Sequence, residues 1–213
     1  MELRNTKIAF LGDSITQGVG VDEYKDCYVS VFEGLSGAKV DNFGVSATRI
    51  GRRIVPHPTP SWNDSFLDRA ERMTEDYDVI VVFGGTNDYA NPNPTPLGDS
   101  TSDDEHTFYG ALKSLMEKLI KAHPVATVVF ATPIHRAKEK DYGIEGLTLK
   151  NYVDAVKEVA EIYSIPVIDL WVTAGIQARV EQVMKMYLLD GLHPNKAGHR
   201  RIAERIYSFL KNL

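Results

Sequence analysis

The sequence predicts a three-layer α/β/α sandwich built on a five-stranded parallel sheet of strand order 2-1-3-4-5. Three observations lead to this fold class. Short apolar runs alternate along the chain with segments whose apolar residues recur at helical spacing. The run from Asp78 to Phe83 is β-branched or aromatic after its first residue, which is typical of a strand buried on both faces of a parallel sheet. The strict alternation of strand and helix implies right-handed crossovers, which place helices on both faces.

Each predicted strand is a short run rich in apolar residues, bounded by polar, glycine or proline residues. The predicted strands lie at residues 8–11, 39–43, 78–83, 126–130 and 166–170. The order 2-1-3-4-5 is preferred because it places the turn after the first strand at the topological switch point, where open α/β sheets bind ligands.

The helices are predicted from apolar spacing and from residues typical of helix ends. The first contains Tyr28, Val29 and Phe32 and stops at Gly37. Further helices are predicted near residues 63–73, after a capping box at Ser102 and Glu105, around 152–163, near 174–185 and around 202–210. Prolines between residues 91 and 104 predict a surface loop long enough to contribute to the rim of a site.

Composition limits the classes of function. The 213 residues, 43% hydrophobic, suit one domain spanning residues 1–213. A balance of 24 Lys and Arg against 29 Asp and Glu, with no basic run, argues against nucleic acid as a partner. Cys27 is the only cysteine, which excludes an internal disulfide framework. No apolar stretch resembles a signal peptide or a membrane span, so we expect a cytoplasmic protein without a membrane partner.

The turn Gly12-Asp13-Ser14 follows the first predicted strand and leads into a helical segment. Ser14 is therefore a candidate nucleophile, although glycine, aspartate and serine are also the residues of ordinary tight turns. Gly44 and Asn87 also follow strands, at the same predicted edge of the sheet. Near the end of the chain, Asp190 stands three residues before His193, a spacing that lets a carboxylate orient an imidazole.

Four short blocks carry a family resemblance. They are Gly12-Asp13-Ser14, the stretch 42–46 (Asn-Phe-Gly-Val-Ser), the stretch 85–88 (Gly-Thr-Asn-Asp) and Asp190 with His193-Pro194. In this order they resemble the blocks of the SGNH (GDSL-type) hydrolases, and together they extend from the first strand to the last helix. The resemblance implies a flavodoxin-like sandwich and a serine esterase or related acyl hydrolase.

The resemblance also implies roles for individual residues. Ser14 would attack the ester carbonyl, His193 would act as general base and Asp190 would orient His193. The backbone N–H groups of Ser14 and Gly44 and the side-chain amide of Asn87 would form the oxyanion hole. The family often has glycine after the serine of its second block, whereas this chain has Ala47. Asp13 and Asp88 match block positions too, and we interpret them as supports of the loops.

Other residues are weaker candidates for the site. Tyr89 and His135 are predicted to contact substrate. His135 and its neighbour Arg136 follow the fourth strand and could line the rim, with a solvated loop as the alternative. Trp62, Tyr89 and Tyr109 could offer stacking surfaces for a sugar ring, with ordinary packing as the alternative. None of the remaining histidines has metal-ligand spacing, so neither a metal nor another cofactor is expected.

The expected substrate is an ester with a small, acetyl-like acyl group on a carbohydrate or another alcohol. Acyl length, the choice between hydrolysis and acyl transfer, and the oligomeric state stay open. A flavin- or nucleotide-binding module is an alternative, because a loop after the first strand of such a sheet can hold a phosphate. A non-catalytic carbohydrate-binding relative is another. The absence of G-x-S-x-G argues against the α/β-hydrolase fold.

Overall fold

A computed structural model describes residues 1–89, 93–140, 144 and 146–213. The strands are β1 (Lys7–Gly12), β2 (Lys39–Gly44), β3 (Val79–Phe83), β4 (Thr127–Ala131) and β5 (Val167–Ile168). The helices are α1 (Ser14–Gln17), α2 (Tyr28–Ser36), α3 (Phe66–Ala70), α4 (Thr86–Tyr89), α5 (Phe108–Ala122), α6 (Leu149–Ile162), α7 (Leu170–Thr173), α8 (Glu181–Tyr187) and α9 (Lys196–Lys211), with a 3-10 turn at Pro60–Asn63.

The strands form one parallel sheet of order β2-β1-β3-β4-β5, which confirms the predicted topology. The register aligns the carboxyl ends of the first three strands. Gly12 at the end of β1 lies opposite Gly44 on β2 and Phe83 on β3. The turns that follow these strands therefore start side by side at one edge of the sheet.

Alternate residues of each strand point to opposite faces of the sheet, and helices cover both. On β1, Ala9 and Leu11 belong to the core shared with α3, α5 and α6. Ile8 and Phe10 belong to the core shared with α2, α7 and α9. All four side chains are fully buried, as expected for a strand between two helical layers. This confirms the predicted three-layer sandwich.

The helix predicted at 63–73 is shorter in the structure. The hydroxyl of Ser65 accepts the Asp68 N–H, and the Asp68 carboxylate accepts the Ser65 N–H at 3.1 Å. This capping box starts α3 at Phe66, because it satisfies the free N–H groups of the first turn. After Ala70 the backbone bonds run to the residue three positions earlier, and the helix ends.

The predicted capping box at Ser102 and Glu105 is wrong. The hydroxyl of Ser102 accepts the N–H of Asp99 within a turn, and Glu105 forms an ion pair with Arg52 at 2.5 Å. α5 begins instead after Thr107, whose hydroxyl accepts the N–H of Gly110 at 3.2 Å. The long-range ion pair takes the carboxylate that the local pattern assigned to the cap.

The helix predicted at 174–185 is also wrong in its extent. Asp169 caps α7 by accepting the N–H of Val172 at 3.2 Å, so this helix begins at Leu170 and the preceding strand keeps only Val167–Ile168. The chain is irregular from 174 to 180, and α8 follows. The cap at Asp169 therefore ends the predicted strand early and starts α7 before the predicted helix begins.

The predicted loop at 91–104 packs against the loops around the site. Its residues 91 and 92 lie outside the described residues. The carbonyl of Asn93 accepts a hydrogen bond from Arg49 at 2.7 Å, and the N–H of Thr95 donates to the Asp88 carbonyl at 2.9 Å. No described residue of this loop lines the pocket that contains Ser14.

Candidate active site

Ser14 is the first residue of α1, directly after the end of β1. The carboxylate of Asp13 caps this short helix by accepting the N–H of Ile15 at 3.0 Å. A Cβ atom at position 12 would lie 1.8 Å from Oγ1 of Thr16, so the close approach of strand and helix requires Gly12. The sequence Gly-Asp-Ser thus builds a tight strand-to-helix turn that presents the hydroxyl of Ser14 to a pocket.

Asp13 is a support of this turn, as predicted. Its side chain is fully buried, and burial raises its pKa to about 6, against the hydrogen bond from Ile15 and the nearby charges of His193 and Arg69. Its geometry is that of a helix cap, because its carboxylate accepts the backbone N–H of Ile15 in the first turn.

His193 reaches Ser14 across 179 positions of sequence. Its Nε2 atom lies 3.1 Å from Oγ of Ser14, and its Nδ1 atom lies 2.7 Å from Oδ2 of Asp190. The turn between them requires Gly191, whose φ is +83° and whose Cβ would meet Ala137 at 2.7 Å. Asp190, His193 and Ser14 therefore form one continuous hydrogen-bonded chain, and the structure brings together the three residues that the sequence predicted.

Asp190 is held in the ionised state needed to orient an imidazole. Burial alone would raise the pKa of its carboxyl group, but the His193 ring and the N–H groups of His193 and Leu192 all donate to it and lower the pKa to about 2. The backbone donors lie at 2.8 and 2.9 Å from Oδ1, and this leaves Oδ2 for the ring. The carboxylate therefore stays charged at neutral pH and fixes the orientation of His193.

Asn87 faces the same pocket from the first turn of α4. Its side-chain amide donates to the carbonyl of Thr48 at 3.0 Å, which holds the side chain against the turn after β2. Next to it, the buried carboxylate of Asp88 accepts the N–H groups of Ile50 and Gly51 at 3.1 and 2.9 Å. Asp88 is thus a loop support, as predicted, because it ties α4 to the chain that follows β2.

Gly44 does not occupy the place that the sequence predicted for it. Its N–H donates to Oδ1 of Asn42 at 2.8 Å, and it is not among the residues that line the pocket. A Cβ at this position would lie 2.1 Å from the backbone nitrogen of Gln17, so the glycine serves the close packing of β2 against α1. The prediction that Gly44 supplies an oxyanion donor is therefore not supported.

Ala47 is the residue of this turn, together with Ser46, that lines the pocket. It has a φ of +59°, in the left-handed region that favours glycine. Its carbonyl accepts a hydrogen bond from Arg53 at 3.0 Å, while no described residue accepts its N–H. The signal for this position was in the sequence, because the family resemblance implies glycine here and the chain departs from it with Ala47.

The pocket around Ser14 has a volume of about 290 Å³. It is lined by Ser14, Ser46, Ala47, Trp62, Asn87, Arg136, Leu192 and His193. The indole of Trp62 stacks on the imidazole of His57 with ring centres 4.3 Å apart, so one aromatic surface is fixed at the pocket wall. Arg136, in the segment after β4, donates to Oγ1 of Thr86 at 3.1 Å.

The other aromatic candidates lie elsewhere. Tyr89 has no exposed surface and packs edge-to-face on Tyr152 in the core, so its predicted contact with substrate is wrong. Tyr109 is also buried and forms a hydrogen bond with Glu158. Trp62 is the aromatic residue that lines the pocket.

His135 is also absent from the pocket lining. Its Nδ1 atom lies 2.5 Å from Oε1 of Glu139, and its ring centre lies 3.7 Å from that of Trp171. Its neighbour Arg136 reaches the pocket instead, because successive residues of an extended segment point in opposite directions.

A larger cavity of about 490 Å³ lies between β5, α7 and the end of α9. Ser208 lines this cavity, but no described histidine or cysteine does. Ser208 therefore has no imidazole beside it that could act as a base. Nor do the described residues contain a group of three or more His, Cys, Asp or Glu side chains placed to hold a metal ion. Among the helices that the structure describes, none has the length and apolar character needed to span a membrane.

Comparisons with known proteins agree with the family resemblance that the four sequence blocks carry. The sequence model of the GDSL-like lipase/acylhydrolase family matches residues 10–201. An acetylxylan esterase of Xylanibacter ruminicola is 27% identical over 220 residues, which cover 96% of this chain and 43% of that protein. The chain therefore spans less than half the length of this curated relative.

Solved structures share the fold over almost the full chain. A protein from Lactobacillus plantarum is 31% identical, with a TM-score of 0.85 and 98% of each chain covered. A possible lipase from Chitinophaga pinensis is 20% identical, with a TM-score of 0.72 and 98% of each chain covered. The family resemblance predicted from the four blocks is thereby confirmed.

Proposed function

Because the chain belongs to the GDSL-like lipase/acylhydrolase family, we propose that it is a serine esterase that cleaves small, acetyl-like esters. The observation that carries the proposal is the hydrogen-bonded chain from Asp190 through His193 to Ser14. It supplies a nucleophile, a base within reach of the nucleophile's proton, and a carboxylate that orients the base.

In the first half of the reaction, Oγ of Ser14 attacks the ester carbonyl while Nε2 of His193 takes the hydroxyl proton. Asp190 holds the ring and stabilises the imidazolium that forms. The tetrahedral intermediate then expels the alcohol, which receives its proton from His193. This leaves an acyl group on Ser14. In the second half, His193 takes a proton from water, the hydroxide attacks the acyl carbonyl, and the acid leaves as Oγ regains its proton.

The oxyanion formed in both halves needs preorganised donors. The backbone N–H of Ser14 stands at the free end of α1, and no described residue accepts it. The Ala47 N–H replaces the predicted Gly44 as the second donor, because it belongs to the pocket lining. The amide of Asn87 is the third. Its bond to the Thr48 carbonyl fixes its direction before substrate binds.

The size and walls of the pocket favour a small acyl group on a carbohydrate. A cavity of about 290 Å³ holds a short ester and not a long acyl chain together with its alcohol. The flat face of Trp62, supported by His57, suits the apolar face of a sugar ring. The related acetylxylan esterase supports the same substrate class.

Replacement of the nucleophile tests the function. Wild-type protein should hydrolyse p-nitrophenyl acetate, and Ser14→Ala should lower turnover by orders of magnitude, up to about a millionfold. Ser30→Ala is the matched control, since this serine is outside the pocket and its hydroxyl donates to the Glu23 carbonyl. Activity of Ser14→Ala near that of wild type would refute the proposal.

A panel of acetylated sugars and aryl esters of increasing acyl length tests the substrate class. Acetylated xylo-oligosaccharides should release acetate, and turnover should fall as the acyl chain exceeds the pocket. Faster turnover of long-chain esters would refute the small-acyl assignment. Xylan binding by a wild-type protein that releases no acetate and resists a fluorophosphonate probe would identify a non-catalytic carbohydrate-binding protein instead.

A further inference from the structure

Arg69 is a buried cation that the reaction described above does not use. It lies near the end of α3, and only 3% of its surface is exposed. Its guanidinium carbon lies 4.6 Å from the ring centre of Phe66, and the capping box of Ser65 and Asp68 fixes the helix that carries both. The position of the guanidinium is thus determined by rigid surroundings.

The guanidinium joins the ends of two strands and the turn that follows one of them. Nη1 donates to the carbonyl of Gly12 at 2.8 Å and also to the carbonyl of Phe43. Nη2 donates to Oγ1 of Thr48 at 2.7 Å, and Nε donates to the carbonyl of Asp64 at 3.3 Å. Three of these four acceptors belong to β1, β2 and the turn after β2.

The same segments carry the two proposed backbone donors of the oxyanion hole, and they contact the third donor, the Asn87 amide. Gly12 is two residues before Ser14. Thr48 directly follows Ala47, and its carbonyl accepts the amide of Asn87 at 3.0 Å. A single planar group therefore contacts the chain within two residues of each backbone donor and, through Thr48, the side-chain donor.

The charge of Arg69 is not neutralised by an ion pair with any residue that the structure describes. Burial lowers the pKa of its guanidinium to about 10, opposed by the more distant charges of Asp64 and Asp13. The group therefore stays protonated at neutral pH. Burying a cation is costly unless it is fully hydrogen-bonded. Here three of the four hydrogen bonds go to the ends of β1 and β2 and to the turn after β2.

We propose that Arg69 is a positioning residue of the oxyanion hole, which holds the donors of Ser14, Ala47 and Asn87 at fixed relative positions. This proposal rests on the proposed esterase function. Its physical basis is the rigid fork of the guanidinium, which bonds several acceptors in one plane, as a lysine ammonium cannot. A displacement of about 1 Å between catalytic groups can cost roughly a hundredfold in rate.

Arg69→Lys tests the proposal with the charge retained. Turnover of p-nitrophenyl acetate is measured per active site, with sites counted by saturation with a fluorophosphonate probe. We expect kcat to fall roughly tenfold to a hundredfold while KM changes less than about threefold, since the donors act mainly on the transition state. Arg200→Lys is the control, because Arg200 pairs with Glu204 on the exposed face of α9 and contacts neither α3 nor the turns that carry Ser14 and Ala47.

Thr48→Val and Thr48→Ser form a second pair that keeps Arg69 in place. Valine has nearly the shape of threonine but lacks the oxygen that accepts from Nη2, whereas serine retains it. We expect kcat per active site to fall with valine and to return toward the wild-type value with serine. A folding defect of Arg69→Lys therefore does not remove the test.

Wild-type kcat per active site in both Arg69→Lys and Thr48→Val would overturn the positioning role. The same holds if total activity falls only because fewer active sites are folded. Addition of Asn87→Ala gives a further check. If Arg69 acts through the oxyanion hole, the effects of Arg69→Lys and Asn87→Ala combine to less than their product, and independent effects would contradict the proposal. An inactive wild type, or an active Ser14→Ala, would instead refute the proposed function itself.

Discussion

Acidification should weaken the fold through His199, a histidine of α9 that is completely buried against α2. Its ring lies parallel to that of Tyr28, with centres 6.2 Å apart, and its Nδ1 atom accepts the Tyr28 N–H at 3.1 Å. The neutral ring therefore carries its proton on Nε2. Protonation would add a second N–H at Nδ1, directed at a backbone N–H that can only donate.

Burial lowers the pKa of His199 from its ordinary value of 6.5 to about 4, and the charge of His193 adds to this effect. Between these values the unfolded chain binds a proton that the folded chain does not, so stability falls as the pH falls. One pKa unit corresponds to about 1.4 kcal/mol, and the full difference amounts to about 3 kcal/mol of unfolding free energy. That is a large part of the stability of an ordinary domain.

The assay is urea denaturation of wild type and His199→Gln at pH 7 and at about pH 4.5. Glutamine supplies an acceptor for Tyr28 but does not titrate. Wild type should lose about 2–3 kcal/mol more unfolding free energy than the variant over this interval. Asp13 contributes the opposite slope, because its raised pKa of about 6 favours folding below that pH, but this contribution is the same in both proteins and cancels in the comparison.

Equal losses of unfolding free energy in the two proteins would refute this reasoning. An independent measurement is the NMR titration of the imidazole resonances of His199 in folded wild-type protein. The ring should remain neutral down to about pH 5. A midpoint near 6.5 would mean that burial does not disfavour the charged ring.

Two substitutions at the pocket test the donor role of Asn87 and the backbone strain at Ala47. Asn87→Ala should lower kcat for p-nitrophenyl acetate roughly a hundredfold to a thousandfold, with a smaller effect on KM, and a fall below about tenfold would contradict the donor role. Ala47→Gly should raise the unfolding free energy by up to about 1 kcal/mol, because glycine tolerates the φ of +59° that alanine adopts at a cost. Thermal unfolding and kcat check this together. The N–H is retained, so kcat should stay within about twofold, and a lower melting temperature would contradict the strain argument.

The order of the strands and helices could be predicted from the spacing of apolar residues, because burial in the fold imposes that spacing. A strand covered on both faces, such as β3, must be apolar at every position, and its run stands out in the sequence. Helix ends were predicted less well. Glu105 could cap a helix locally, yet an ion pair with Arg52 takes its carboxylate in the fold. A capping pattern identifies side chains that can form capping hydrogen bonds. It does not identify the distant residues that the fold brings close enough to bind the same side chains.

The hydrogen-bonded Ser14, His193 and Asp190 and the pocket residue Asn87 could be singled out because each follows a strand or precedes a helix within a short block of fixed spacing. Gly44 was misassigned for a related reason. A glycine in such a block can provide a donor or allow close packing, and only the structure shows that this one allows β2 to approach α1. From the same turn, Ala47 lines the pocket instead.

By itself the sequence determined the parallel sandwich, the edge of the sheet that carries the site, and the serine, histidine and aspartate that meet there. These depend on periodicity and on spacing within short blocks, which a chain displays before it folds. Only the tertiary structure decided which residue of the turn after β2 lines the pocket, that Tyr89 belongs to the core, and that Arg69 joins the end of β1 to the turn after β2. The acceptors of Arg69 are mostly backbone carbonyls, which every residue possesses, so no sequence pattern marks them.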